Sequence, residues 1–175
     1  VGMLDILASL GEFLGGLAVI GGVVYAVIQV SQFRAAKERE ISLELLHSFQ
    51  TPDFVQALLA VYDMPEGLDS KDKIVAHLGD KLHLVYAMMT TWESLGVLVF
   101  RGELSLDLVD DFFSGPITIS WRKLEPYIRD ERKEQHRETI EEWFEWLNGR
   151  LCERESTRPP IPAHIAHKDR KPDDA

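Results

Sequence analysis

The chain has 175 residues, enough for one compact domain with appendages. Its 19 Lys and Arg stand against 29 Asp and Glu, and the net charge of −10, with no long basic patch, excludes a surface built to hold nucleic acid. A single cysteine, Cys152, rules out an intramolecular disulfide framework, and its place after Leu151 in a helical pattern reads as a partly buried helix residue.

Residues 1–12 form an amphipathic lead that carries Asp5 and Glu12 but no Lys or Arg. From Phe13 to Val30 no side chain is charged. A helix over 13–30 rises about 27 Å, close to the ~30 Å hydrocarbon thickness of a bilayer, and predicts a transmembrane segment. The lead lacks the basic start of a secretory signal, and "QVSQFRAAKERE" is no small-residue cleavage site, so the segment reads as an uncleaved anchor. Arg34, Lys37 and Arg39 follow the apolar run, which orients the amino end outside and the bulk of the chain in the cytoplasm of a bacterial inner membrane. The competing reading is a buried apolar helix of a soluble protein.

The run "GEFLGGLAVIGGVVYAVIQV" holds four further glycines after Gly11, each unfavourable in an ordinary core helix. At 100° per residue, Ala8, Gly11, Gly15, Ala18, Gly22, Ala26 and Gln29 share one arc of about 80°. Phe13, Leu14, Leu17, Ile20, Val24, Val27 and Ile28 lie opposite. Small residues at such spacing let helix backbones approach within lipid, so this stripe is the expected interface of a homo-oligomer. Glycine is also common in membrane helices generally, and the stripe then carries no meaning. Glu12 and Gln29 flank the span, and in an oligomer they would border a candidate ion pathway. The simpler account of Glu12 is a solvated residue among headgroups.

Residues 31–154 read as a cytoplasmic helical domain. No breaker interrupts "SQFRAAKEREISLELLHSF", so the first helix is expected to run on to Phe49. Thr51 and Pro52 are the N-cap and first position of "PDFVQALLAVYD". After the turn-rich "MPEGLDS", Ser70 opens a helix expected over 71–100, with Ile74, Leu78, Leu82, Val85, Met89, Trp92 and Val99 on its inner face. Ser105 caps "LDLVDDFF", "SGP" starts a further helix, and Pro126 is expected to kink or break it. Ile140, Trp143, Phe144, Leu147 and Leu151 mark the last helix. Residues 155–175, with four prolines, form a tail or extended arm in which Ile161 and Ile165 could dock on a protein surface. No segment alternates like paired strands. The expected fold is all-α, a long N-terminal transmembrane helix continuing into a cytoplasmic bundle of four or five helices.

The stretch "WESLGVLVFRGELSLDLVDDFFSGPITISWRKLEPYIRDER" joins a W-E-x-L-G-x-L-V helix to a G-x-L-x-x-x-L-V turn, a Trp, a P-Y-I and an Arg. It resembles a bacterial family of small proteins of unknown function, with one N-terminal membrane helix and a helical cytoplasmic domain. The resemblance extends from residue 10 to about 150, implies fold and anchoring, and supplies no catalytic residue. Within it, Glu93 with Arg122 and Arg129 is expected to form a partly buried structural ion-pair network.

Two Glu/Asp-x-x-His pairs, Glu44 with His47 and Asp80 with His83, have the spacing of half a di-iron site, yet both read as solvated helix residues. His164 and His167 lack further ligands at useful spacing. No nucleophile elbow and no glycine-rich phosphate loop is present. The expectation is a non-enzyme without cofactor, in contact with membrane lipid, with itself as a homo-oligomer and with a cytoplasmic protein partner. The role expected is structural or scaffolding. An oligomeric ion channel is the alternative.

Overall fold

In a computed structural model of the chain, the described residues are Gly2, Gly16, 19–30, 32–33, Phe49 and 51–170. The expectations for Ala8, Gly11, Glu12, Gly15 and Ala18, for the continuous helix through 34–48 and for Glu44 with His47 lie outside them. The chain divides into two units, residues 1–46 and 47–175. In the first, α1 spans Val19–Val30 and carries Gly22, Ala26 and Gln29. The Gln29 Nε2 donates to Tyr25 Oη one turn earlier, at 2.7 Å.

The second unit is built from helices whose starts follow local chemistry. Helix α2 (Pro52–Tyr62) opens on Thr51, whose hydroxyl accepts from the Phe54 N–H at 3.3 Å. Helix α3 (Lys71–Leu78) opens on Ser70, but its first amide is taken by another element: Asp130 Oδ2 accepts from Lys71 N–H at 3.1 Å. A 3-10 turn, Gly79–Lys81, leads into α4 (Leu82–Phe100). Helix α5 (Leu106–Gln135) is capped by the Ser105 hydroxyl, which accepts from Leu108 N–H at 3.2 Å. Helix α6 (Glu142–Thr157) and the single turn α7 (Ala163–Ala166) complete the chain.

Two expected boundaries are corrected. The helix expected over 71–100 is broken at Gly79, which takes φ +52, a conformation that suits a residue without Cβ and lets the chain turn between α3 and α4. Conversely, α5 continues through both Pro116 and Pro126, where a start and a kink were expected. A proline inside a helix costs about 3 kcal/mol. The α5 stripe of Ile117, Trp121, Leu124, Tyr127 and Ile128 is buried, and burial of each such side chain is worth roughly 1.5–3 kcal/mol, so packing wins.

Helix α4 lies at the centre, against α2 on one side and α6 on the other, while α5 closes over α2, α3 and α6. Helices α5 and α6 form an antiparallel hairpin, because Arg154 near the end of α6 pairs with Asp107 and, at 2.9 Å, with Asp110 near the start of α5. The polar edge of α5 fixes the other helices: Lys123 Nζ donates to the carbonyls of Tyr62 and Met64 at the end of α2, at 2.7 and 2.6 Å. Lys71 at the start of α3 pairs with Glu131 and Glu134 of α5.

By length and composition the stretch Lys71–Phe100 could cross a membrane. Its interruption at 79–81 and the complete burial of Ile74, Val85 and Trp92 make it the bundle's own central wall. Of the expected inner face, Leu78 and Met89 are also buried, whereas Leu82 and Val99 are half-buried. Trp92 sits in an aromatic nest, 5.1 Å from Phe49 and 5.3 Å from Phe54 between ring centroids, and Phe113 stands 4.0 Å from Phe49. Residues 158–170, which include the turn α7, are exposed, Ile161 and Ile165 among them.

Candidate functional site

The W-E-x-L-G pattern acquires its physical meaning where α4 crosses the start of α6. Trp92 and Leu95 point into the core. Glu93 and Gly96, three apart and so on a common face, turn to α6. The Glu93 Oε2 accepts from the Phe144 N–H at 2.7 Å, 51 residues away, and thereby caps the first turn of α6. A Cβ on Gly96 would stand 2.3 Å from the Trp143 carbonyl oxygen and 2.7 Å from its carbon. Only glycine admits that backbone.

Helix α6 needs an external cap because its own N-cap residue, Glu141, has φ +54 and ψ +37. An N-cap that caps with its own side chain is normally extended; in the left-handed region the Glu141 side chain makes no cap and is instead buried in the junction. Holding a non-glycine residue there costs about 1–2 kcal/mol. The other end of the α5–α6 connection, His136, is left-handed too, at φ +49. It closes α5 with a bond from Arg137 N–H to the Arg132 carbonyl at 3.0 Å.

Arg132 reaches the junction from α5, but it binds mainly backbone. Its Nε donates to the Ile140 carbonyl at 2.8 Å, its Nη2 approaches the Glu141 carbonyl at 3.4 Å, and its Nη1 pairs with Glu145 at 2.7 Å. The Glu141 Oε2 is buried with no hydrogen-bond partner among the described residues. Burial, and then the neighbouring Glu93 charge, push the Glu141 carboxyl up to about 7, against the smaller pull of Arg132. Burial likewise raises Glu93, opposed by the Phe144 and Trp143 amides and by Arg132, and assisted by Glu142. The arrangement can hold and release a proton. Among the described residues no group of three His, Cys, Asp or Glu side chains gathers to ligate a metal.

The expected network of Glu93 with Arg122 and Arg129 is not assembled. Arg122 is exposed and pairs with Glu66 at 3.3 Å, and Arg129 donates to the Asp69 carbonyl at 3.0 Å. Glu93 has a helix terminus as its partner, and Arg132 is the arginine whose charge it feels. The physical reason is position: Arg122 and Arg129 lie on the α5 edge that holds the segment between α2 and α3, whereas Arg132, a turn further on, meets the start of α6. Asp80 and His83 meet through the Asp80 backbone carbonyl, 2.6 Å from His83 Nδ1, and His164 and His167 are exposed. Cys152, expected to be partly buried, is exposed. Glu141, Arg132 and the close approach at Gly96 were not singled out in the sequence; the signal available was the i, i+3 pairing of Glu93 with Gly96.

These features define an all-helical bundle protein whose central crossing is closed by one carboxylate and one glycine. The family model described as "Domain of unknown function (DUF4760)" matches residues 16–151, and the chain belongs to that family. The match ends at Leu151, the last buried residue of α6, and leaves the tail outside. It agrees with the resemblance drawn from the W-E-x-L-G and P-Y-I motifs at the level of a family of unknown function. No match to the chain was found among curated proteins or among solved structures.

Proposed function

We propose that the chain is a membrane-anchored, self-associating helical protein with a structural or scaffolding role at the bacterial inner membrane. Its N-terminus lies outside and its helical domain in the cytoplasm, where it meets a protein partner. The observation that carries this reading is α1. Val19, Ile20, Val23, Val24, Val27, Ile28 and Val30 are all exposed, so its apolar side chains surround the helix. A helix apolar on every side needs an apolar surround, and burial of each such side chain is worth roughly 1.5–3 kcal/mol. Lipid supplies that surround over the 13–30 span. Self-association is supported by Gly22 of the small-residue stripe, where an added Cβ meets nothing within 4 Å. Its lack of a side chain serves no described contact within the chain, and close helix–helix approach in lipid is the use that fits it.

The ion-pathway reading draws on Gln29, whose amide N–H is engaged by Tyr25 of the same helix. A small-residue stripe favours helix contact over an open lumen, so scaffolding leads. Membrane fractionation followed by crosslinking tests the proposal. The expected result is a carbonate-resistant membrane protein that crosslinks as an oligomer, with loss of the oligomer in Gly15→Leu/Gly22→Leu. A protein released by carbonate defeats the anchor, and wild-type protein that yields only monomer defeats the assembly. Ion flux abolished by Glu12→Gln or Gln29→Ala would favour the channel.

A further inference from the structure

The α4–α6 crossing contains more ionisable charge than its position explains. Glu93 enters from α4, Glu141 from the connection, Glu142 and Glu145 from α6, and among the described residues Arg132 from α5 is the cation that reaches them. Arg132 is committed to the Ile140 carbonyl and to Glu145, so it does not neutralise the buried carboxyl of Glu141. Two carboxylates, Glu141 buried and Glu93 half-buried, therefore meet with incomplete compensation, a condition met by retaining a proton. The same place is mechanically articulated. The connection between α5 and α6 has left-handed non-glycine residues at both ends, His136 and Glu141. The first turn of α6 is held to α4 at adjoining points, the Glu93 bond to Phe144 N–H and the seat of Trp143 on Gly96.

We infer that this junction is a proton-operated latch: with Glu141 protonated the first turn of α6 stays closed on α4, and loss of the proton drives Glu141 to solvent and frees that turn. The balance is simple. One proton leaves the Glu141 carboxyl for water, the resulting carboxylate meets the charge of Glu93, and hydration outside the junction relieves both. The Glu141 backbone relaxes out of the left-handed region in the same movement, and α6 loses its external cap. The latch controls presentation of the α6 start to whatever the helical domain meets, and it is independent of how the chain is anchored or assembled.

The test is amide hydrogen exchange of the full chain in detergent micelles between pH 5 and 8, corrected for intrinsic exchange. It is read at the Phe144 and Glu145 amides, whose acceptors are Glu93 and the Glu141 carbonyl. In the wild type the opening equilibrium should rise by up to about tenfold per pH unit and level off above about pH 7. Glu141→Gln should flatten this dependence, while Glu142→Gln, at an exposed neighbour, should keep most of it. Opening that does not vary with pH in the wild type overturns the latch, and so does Glu141→Gln with an unchanged slope. Should Glu141→Gln fail to fold, the side-chain carboxyl 13C titration of the wild type decides: a glutamate titrating above pH 6 and moved to lower pH by Glu93→Gln supports the latch, and none titrating above pH 6 overturns it.

Discussion

Helices α1 and α4 are both apolar and both carry glycine, yet their glycines answer to different neighbours. At Gly96 the room for a side chain is filled by the Trp143 backbone, whereas at Gly22 an added Cβ meets nothing within 4 Å. The sequence pattern alone does not separate the two cases. Gly96 is explained by the backbone that fills its space, whereas Gly22 is not explained by any described contact within the chain. Open space alone does not set α1 apart, since Gly115 of α5 and Gly149 of α6 have it too.

The largest expected effect follows from that contrast. Gly96→Ala places its Cβ 2.3 Å from a backbone oxygen, which cannot swing aside like a flexible side chain. A loss of about 3 kcal/mol in bundle stability is expected, read from the denaturant midpoint of tryptophan fluorescence. Gly22→Ala should leave the same midpoint within about 0.5 kcal/mol. Equal effects of the two substitutions would erase the distinction.

Next in size is the pH dependence of the bundle. The Glu141 carboxyl is raised from 4.5 to about 7 in the folded chain. Its contribution is therefore fully present below about pH 4.5 and is lost as pH rises through about 7. The loss amounts to up to roughly 3 kcal/mol, at 1.36 kcal/mol per unit. Denaturation midpoints measured from pH 5 to 8 should fall in the wild type and remain nearly level in Glu141→Gln. Asp130 acts in the opposite sense, because the Lys71 N–H that it accepts holds its carboxyl below the usual range. That contribution is lost as acid protonates it.

Removing the external cap is a smaller change. Glu93→Ala leaves the Phe144 N–H without its acceptor and also relieves the charge on Glu141, so a net loss of about 1 kcal/mol is expected. Glu93→Gln, which keeps an acceptor, should lose less; a greater loss than in Glu93→Ala would show that the cap is not what Glu93 supplies. Smallest is His136→Gly, at φ +49, which should gain about 0.5–1 kcal/mol in the same denaturant measurement by removing the left-handed cost at the end of α5.

What could be read from the sequence was whatever depends on near neighbours. Thr51 and Ser105 cap helices through amides three residues away, and the inner stripe of α6, Phe144, Leu147 and Leu151, repeats at helical spacing. The all-helical character follows from such local signals. Pro126 misled because its local penalty is visible, while the burial of Leu124, Tyr127 and Ile128 that outweighs it depends on partners elsewhere. Glu93 invited a search for a cation, but its acceptor role is met by a backbone N–H 51 residues away, and backbone amides have no signature in sequence. Glu141 was unreadable for a related reason: one glutamate among Glu138, Glu142 and Glu145 is distinguished only by a left-handed backbone and by burial.

The central claim, that α1 is a membrane helix whose open glycines serve a second copy of the chain, is tested most directly by native mass spectrometry of the full chain released from lipid nanodiscs, wild type beside Gly22→Leu. The account predicts a discrete oligomer with bound lipid for the wild type and predominantly monomer for Gly22→Leu, with the bundle's circular dichroism unchanged. Wild-type protein that emerges as monomer, or Gly22→Leu that keeps the same copy number, would contradict it.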